Sequence, residues 1–114
     1  MTCYSATIER VIDADTLIAR IDLGLNVLMI QKVRLAGLNA HERHTFLGQK
    51  ASAYVRERLL HRPLRLEVPT QSFDKYGRVI ATVWVNEENF NQELLDQGYA
   101  VPYDGRTPAK DLDA

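Results

Sequence analysis

From Leu17 to Leu23 every second residue is aliphatic (Leu17, Ala19, Ile21, Leu23), with Arg20 and Asp22 set between them. A period of two is the signature of a strand with one buried face, and it constrains this chain more than any other local pattern. The wider stretch Ala6 to Leu23 is rich in Ile, Val, Thr and Leu. It is interrupted by Asp13-Ala14-Asp15-Thr16, short polar residues that favour a turn. Gly24-Leu25-Asn26 makes a second turn, and Val27 to Ala36 reads as a third strand. The opening is therefore expected to be a three-stranded meander.

Gly37 to Gly48 holds no sustained periodicity and is expected to be a loop. From Leu47 onward, Leu47, Ala51, Tyr54, Val55 and Leu59 recur at helical spacing, which predicts a helix ending near Pro63, where proline cannot continue the ladder. Leu64 to Val68 alternates as a fourth strand and Gly77 to Val85 as a fifth, with the turn-forming Asp74-Lys75-Tyr76-Gly77 between them. Asn91 reads as the N-cap of a short second helix, with Phe90 and Leu95 as its staple and Gly98 as its stop. This element order predicts a mainly β (α+β) fold, a five-stranded OB-type barrel with two or so appended helices. It fills one domain, residues 1–103, and leaves 104–114 as a short extended or disordered tail.

A chain of 114 residues suffices for one core but not two. With 46% hydrophobic and 25% charged residues it falls among folded globular proteins rather than disordered ones. Cys3 has no partner for an internal disulfide and reads as an inert thiol. The N-terminus offers no apolar signal-peptide region and no run is long enough to cross a bilayer, so a cytoplasmic location without membrane contact is expected. The net charge of −1 is unlike that of strongly basic nucleic-acid binders, but it hides an asymmetry. Residues 86–114 hold seven of the 15 acids and only two of the 14 bases, which leaves the first 85 residues net positive.

Asp13 and Asp15 flank one tight turn, Glu42 sits in the loop after the third strand, and Arg34 lies near that strand's end. Carboxylate oxygens suit hard cations, and guanidinium forks match phosphate oxygens bidentately. Both address the charge that accumulates on phosphorus during displacement. An acid pair in a turn is by itself weak support for a metal site.

Four motifs in order carry a more specific signal: Val11-Ile12-Asp13-Ala14-Asp15-Thr16-Leu17, Val33-Arg34-Leu35-Ala36-Gly37-Leu38-Asn39-Ala40-His41-Glu42, Asp74-Lys75-Tyr76-Gly77-Arg78-Val79-Ile80-Ala81, and Asn91-Gln92-Glu93-Leu94-Leu95-Asp96-Gln97-Gly98-Tyr99-Ala100. Spanning about residues 8–103, they resemble the successive signatures of the staphylococcal nuclease (thermonuclease) family. The resemblance implies a Ca²⁺-dependent endonuclease that hydrolyses DNA and/or RNA to 3′-phosphates, and no obligate protein partner is implied. It implies that Asp15, Asn39 and the backbone carbonyl of Ala40 hold the ion. Glu42 matches the acid that activates the attacking water, and Arg34 and Arg78 match the pair gripping the scissile phosphate. Lys75, Tyr76 and Tyr103 would contact the substrate's terminal phosphate or base.

Three positions depart from the family pattern. Asn39 keeps an oxygen ligand but loses a negative charge, which weakens ion binding. His41 replaces the usual proline and frees one φ angle in the loop holding Glu42. Ala14 replaces a common glycine, so that position does not require positive φ.

Plainer readings attach to the other conspicuous residues. Asp13 reads as a turn cap, and Trp84 and Tyr54 read as packing rather than base-stacking platforms. His41-Glu42-Arg43-His44 is not a zinc-protease motif, because its histidines are three apart in a loop rather than four apart on one helical face. The rival to the enzyme is a nucleic-acid-binding or protein-interaction module that kept the barrel and lost catalysis. Glu42 alongside Arg34 and Arg78 favours the enzyme, since a binding module has no need of the acid.

Overall fold

The computed structural model of the protein describes residues 2–69 and 73–103. The expected tail, 104–114, lies outside the described residues. β1 (Thr2–Asp13), β2 (Thr16–Asp22) and β3 (Leu28–Leu35) form the antiparallel meander expected from the alternation. Leu17, Ala19 and Ile21 are buried as their period demands. Leu23, expected on the same face, is 42% exposed because the strand ends at Asp22 and the chain turns away from the core. Register shifts after Ile8 and after Val11 bend β1, so its first half pairs with β5 (Pro63–Val68) and its second half with β2.

β5 pairs with β6 (Val79–Val85), and β6 returns to β3 in a parallel pairing of Val33–Leu35 with Val79–Ala81. That pairing closes a five-stranded barrel in the order β3-β2-β1-β5-β6. Its interior is aliphatic: Ile8, Leu17, Ala19, Val33, Leu66, Ala81 and Val83 are fully buried. The result is the mainly β, OB-type barrel with two helices that the sequence predicts.

α1 (Phe46–Leu59) lies against β1 and buries Gly48, Ala51, Ser52, Val55 and Leu59. Leu47, expected on that face, is half exposed, and Gly48 takes the inward position. The segment 37–48 is not all loop, as expected, because Leu38–Ala40 forms β4 and pairs with β8 (Ala100–Pro102). A three-residue strand is too short to register as periodicity, and its partner lies some sixty positions away.

β7 (Glu88–Asn89) extends β6 as a hairpin and leads into α2 (Phe90–Asp96). Asn89, not Asn91, is the cap, accepting from the Gln92 N–H at 3.0 Å. Phe90 is the first helical residue and is fully buried, rather than an outer half of a staple. Asn91 instead serves the interior. Its Nδ2 donates to the Ala36 and Ala81 carbonyls at 3.0 and 3.2 Å, and its Oδ1 accepts from the Val83 N–H at 3.0 Å. Gly98 (φ 78°) stops the helix as expected, with the Tyr99 N–H returning to the Leu94 carbonyl at 2.9 Å.

The two helices are clamped by Glu93, which accepts two 2.8 Å bonds from Arg58 and one from the Tyr54 hydroxyl. Tyr54 also stacks on Tyr99 with ring centroids 4.5 Å apart, so its role is packing. Among the described residues no helix is long and apolar enough to cross a membrane.

Candidate active site

At one barrel end the β1–β2 turn supplies Asp13 and Asp15, the end of β3 supplies Arg34, and β4 supplies Asn39 and Ala40. The loop before α1 supplies Glu42, and the turn just before β6 supplies Arg78. All of them line a single cleft of 440 Å³. A second cleft of 430 Å³ is lined by Lys75, Tyr76 and Tyr103, and it shares Arg34 and Arg78 with the first. Each candidate site residue therefore lines one of two hollows that meet at two guanidinium groups. A larger cleft of 620 Å³, lined by Arg20, Asp22, Arg65, Trp84 and Glu87 among others, holds none of them. Its charges are mixed, and size alone does not decide where chemistry occurs.

Asp15 is the organising group. Its Oδ2 accepts from the Ala40 N–H at 2.9 Å and pairs with Arg34 Nη1 at 2.8 Å, while Oδ1 accepts from the Thr16 hydroxyl at 3.0 Å. This carboxylate ties the first turn to β4 and to the end of β3. Arg34 also donates through Nη2 to Asn39 Oδ1 and reaches the Asp15 carbonyl at 3.4 Å. Asn39 is 2% exposed, and its Nδ2 has no partner among the described residues.

Asp13 is not a simple turn cap. Its Oδ1 is buried without a hydrogen-bond partner among the described residues, and its carboxyl is held above the usual range by burial and then by the neighbouring Asp15 carboxylate. Glu42 adds to that repulsion, while Arg43 and Arg34 oppose it.

The oxygens of Asp15, Asn39 Oδ1 and the Ala40 carbonyl could hold one hard cation. Among the described residues no group of three or more His, Cys, Asp or Glu side chains is arranged for a metal. The candidate set therefore has one carboxylate backed by neutral oxygens. The donors nonetheless fit in kind: all are oxygen, and the orphaned Asp13 oxygen beside Asp15 and Glu42 marks a place where a positive ion lowers the cost of crowded acids.

Glu42 is carried by an anchored backbone. Its carbonyl accepts from the Thr45 N–H at 3.0 Å and from the Thr45 hydroxyl at 2.7 Å, and that hydroxyl in turn caps α1 by accepting from the Gly48 N–H at 3.0 Å. A Cβ on Gly48 would lie 1.8 Å from the Glu42 carbonyl oxygen, so only glycine lets the loop sit there. The Glu42 carboxylate is half exposed and has His44 Nδ1 at 3.4 Å. His41–His44 lie in this loop, before the helix begins.

Arg78 is braced by Asp74, whose Oδ2 accepts from Nε at 2.7 Å while Oδ1 accepts from the Arg78 and Tyr76 N–H groups at 2.8 and 2.9 Å. These bonds hold the Asp74 carboxyl below its usual range in spite of its burial. The guanidinium lies 5.0 Å from the Tyr76 ring centroid, with Lys75 Nζ 5.2 Å from the same ring and Arg34 6.0 Å from that of Tyr103. Sequence reasoning passed over Asp74, Thr45, Gly48 and Arg43. Thr45 was visible as a cap three residues before Gly48, and Asp74 as an acid four residues before Arg78. Gly48 carries no local signal.

The chain matches the family model described as "Staphylococcal nuclease homologue" over residues 32–113. It is 36% identical over 102 residues to a thermonuclease of Staphylococcus intermedius, an alignment covering 84% of this chain and 58% of that protein. It is likewise 36% identical over 97 residues to a thermonuclease of Staphylococcus hyicus, covering 80% and 54%. A protein of Haemophilus influenzae described as an uncharacterized endonuclease is 33% identical over 72 residues, covering 63% and 39%. The chain spans little more than half the length of the two thermonucleases.

Proposed function

This chain belongs to the staphylococcal nuclease family, and we propose that it is a nuclease hydrolysing phosphodiester bonds of DNA or RNA. The observation that supports this reading is the shared position of Arg34 and Arg78, which line both the carboxylate cleft and the cleft of Lys75, Tyr76 and Tyr103. A phosphodiester lying across the two guanidiniums has Glu42 and Asp15 on one side and a cation with two aromatic rings on the other.

In this reading Arg34 and Arg78 bind the scissile phosphate and neutralise the charge that grows on its equatorial oxygens. Glu42 takes the proton of the attacking water, and its half-exposed carboxylate on an anchored backbone suits that task. Lys75, Tyr76 and Tyr103 orient the flanking nucleotide. Asp15, Asn39 and the Ala40 carbonyl hold one divalent cation, proposed to be Ca²⁺, which supplies further charge neutralisation at phosphate oxygen. Endonucleolytic cleavage with 3′-phosphate products, as the family resemblance implies, completes the proposal.

Digestion of plasmid DNA and of RNA with Ca²⁺, repeated with a chelator and with Glu42→Gln, tests it. Chelator-sensitive cleavage lost in the variant is the expected result. No cleavage with Ca²⁺, Mg²⁺ or Mn²⁺ would leave the second reading, a nucleic-acid-binding module. The neutral Asn39, with its oxygen directed at Arg34, is the observation in that reading's favour.

A further inference from the structure

β3 outruns the strand that closes the barrel. It pairs with β2 from Leu28 to Arg34 but with β6 only from Val33 to Leu35. Among the described residues no strand pairs with Leu28–Lys32 on the side away from β2. At its end nearest β6 the Gln31 side chain donates through Nε2 to the Gly77 carbonyl at 2.7 Å and to the Lys32 carbonyl at 3.4 Å.

Five side chains along this edge and its hairpin are apolar and open to solvent, beside the polar Asn26, Gln31 and Lys32. Leu23, Val27, Leu28 and Ile30 are each roughly half exposed, and Leu25 at the tip is 98% exposed. Leu25 also adopts a φ of 55°, a left-handed conformation that leucine seldom takes. Residues 23–31 carry no charge. Exposed edges are ordinarily guarded by lysine, proline, a bulge or a covering element; Lys32 stands at the end of this edge, and among the described residues none of these interrupts Val27–Gln31.

We propose that this edge is a self-association surface, on which β3 pairs antiparallel with β3 of a second copy about a two-fold axis at Met29. Leu28 of each copy then lies opposite the partner's Ile30 on the outer face. Three arguments select a second copy. An unpaired strand edge calls for backbone donors and acceptors, which a strand supplies and lipid does not. A two-fold axis at Met29 sets Val27–Gln31 of one copy, all uncharged, against Val27–Gln31 of the other, and places Lys32 opposite Asn26, so no like charges face each other. The five exposed side chains present roughly 500 Å² per copy, so two copies approach the total of about 1,000 Å² that a specific interface needs. This inference does not rest on the nuclease reading.

Sedimentation equilibrium of the full chain over a range of concentrations tests it, with thermal unfolding of each variant as a control for folding. The parent should be a reversible dimer. Ile30→Lys alters both halves of the symmetric contact, so it should raise the dimer dissociation constant about a hundredfold, tenfold for each copy, with the unfolding temperature of the dilute, monomeric protein unchanged. Adding Leu28→Glu to Ile30→Lys sets opposite charges across the proposed register and should restore dimerisation. A parent monomeric at all concentrations overturns the proposal, as does a dimer indifferent to Ile30→Lys or one that Leu28→Glu fails to restore. Flotation with phosphatidylcholine–phosphatidylglycerol vesicles adds a further arm. A monomer that floats, and no longer does so after Leu25→Ser, would assign the patch to lipid and overturn it equally.

Discussion

Arg34 Nη1 lies 2.8 Å from Asp15 Oδ2, and both side chains are close to nine-tenths buried. The same guanidinium takes the Asn39 oxygen, so one arginine engages both side-chain oxygen donors proposed for the cation. A cation held there would compete with Arg34 for those oxygens, and the outcome would depend on how much negative charge is present.

Asn39→Asp restores a carboxylate at this crowded point. It should tighten Ca²⁺ binding by about tenfold, a gain of roughly 1.4 kcal/mol. Isothermal titration of Ca²⁺ into the two proteins checks this, and equal or weaker binding by the variant would remove Asn39 from the ion's ligands.

Glu42→Gln keeps the side chain's shape and removes its basicity. Single-turnover cleavage of a labelled strand should slow by about 10²–10⁴, the usual contribution of a positioned general base. Strand affinity and unfolding temperature should stay close to those of the parent, since the carboxylate is half exposed. Cleavage at the parental rate would take Glu42 out of the chemistry.

Gly48→Ala acts on the same residue from behind. The new methyl group collides with the Glu42 carbonyl, so the loop must shift while α1 is otherwise favoured by alanine. A fall in kcat of about tenfold or more is expected, because a displacement on the order of 1 Å is costly to positioned chemistry. Helix content by circular dichroism should be unchanged, and an undiminished kcat would show that the backbone position of Glu42 is not critical.

Asp74→Ala removes the three bonds that shape the 74–78 turn and aim Arg78. Substrate affinity should weaken with a stability loss of about 1–3 kcal/mol, the range expected for charged hydrogen bonds. Arg78→Lys keeps the charge but not the fork, and should lower turnover more than it lowers stability. Denaturant unfolding measured beside kcat and KM separates the two variants.

The helix clamp gives a pH dependence of definite sign. Hydrogen bonds from Arg58, and then from Tyr54, hold the Glu93 carboxyl below its usual value against the opposing effect of burial. A depressed folded-state pKa stabilises the protein above the unfolded-state value of about 4.3, and the contribution is lost as pH falls through the lower folded-state value. The parent should therefore lose stability on acidification below about pH 5, and Glu93→Gln should be less stable at pH 7 with a shallower acid limb. Thermal unfolding across pH 3 to 8 tests this, and parallel curves for the two proteins would contradict it.

The local patterns of this chain are strong enough to determine most elements without a structure. Alternation in Leu17–Ile21 and Val79–Val85, helical spacing from Ala51 to Leu59, and the Gly98 stop depend on neighbours a few residues away, and each appears as read. The residues of the candidate site were also legible, because their types and order resemble a known family. Tertiary structure decided what depends on distant partners. β4 exists only because Ala100–Pro102 pairs with it, and Asn91 is an interior bridge rather than a cap because Ala36, Ala81 and Val83 present backbone groups to it. Gly48 is required by the carbonyl of Glu42, six positions earlier across a loop whose path no periodicity encodes. Arg34 rests on Asp15 and Asn39 because barrel closure brings the β1–β2 turn, the end of β3 and β4 to one end. Hydrophobic periodicity reports which face of an element is buried; which polar groups then meet follows from how those faces close around a common core.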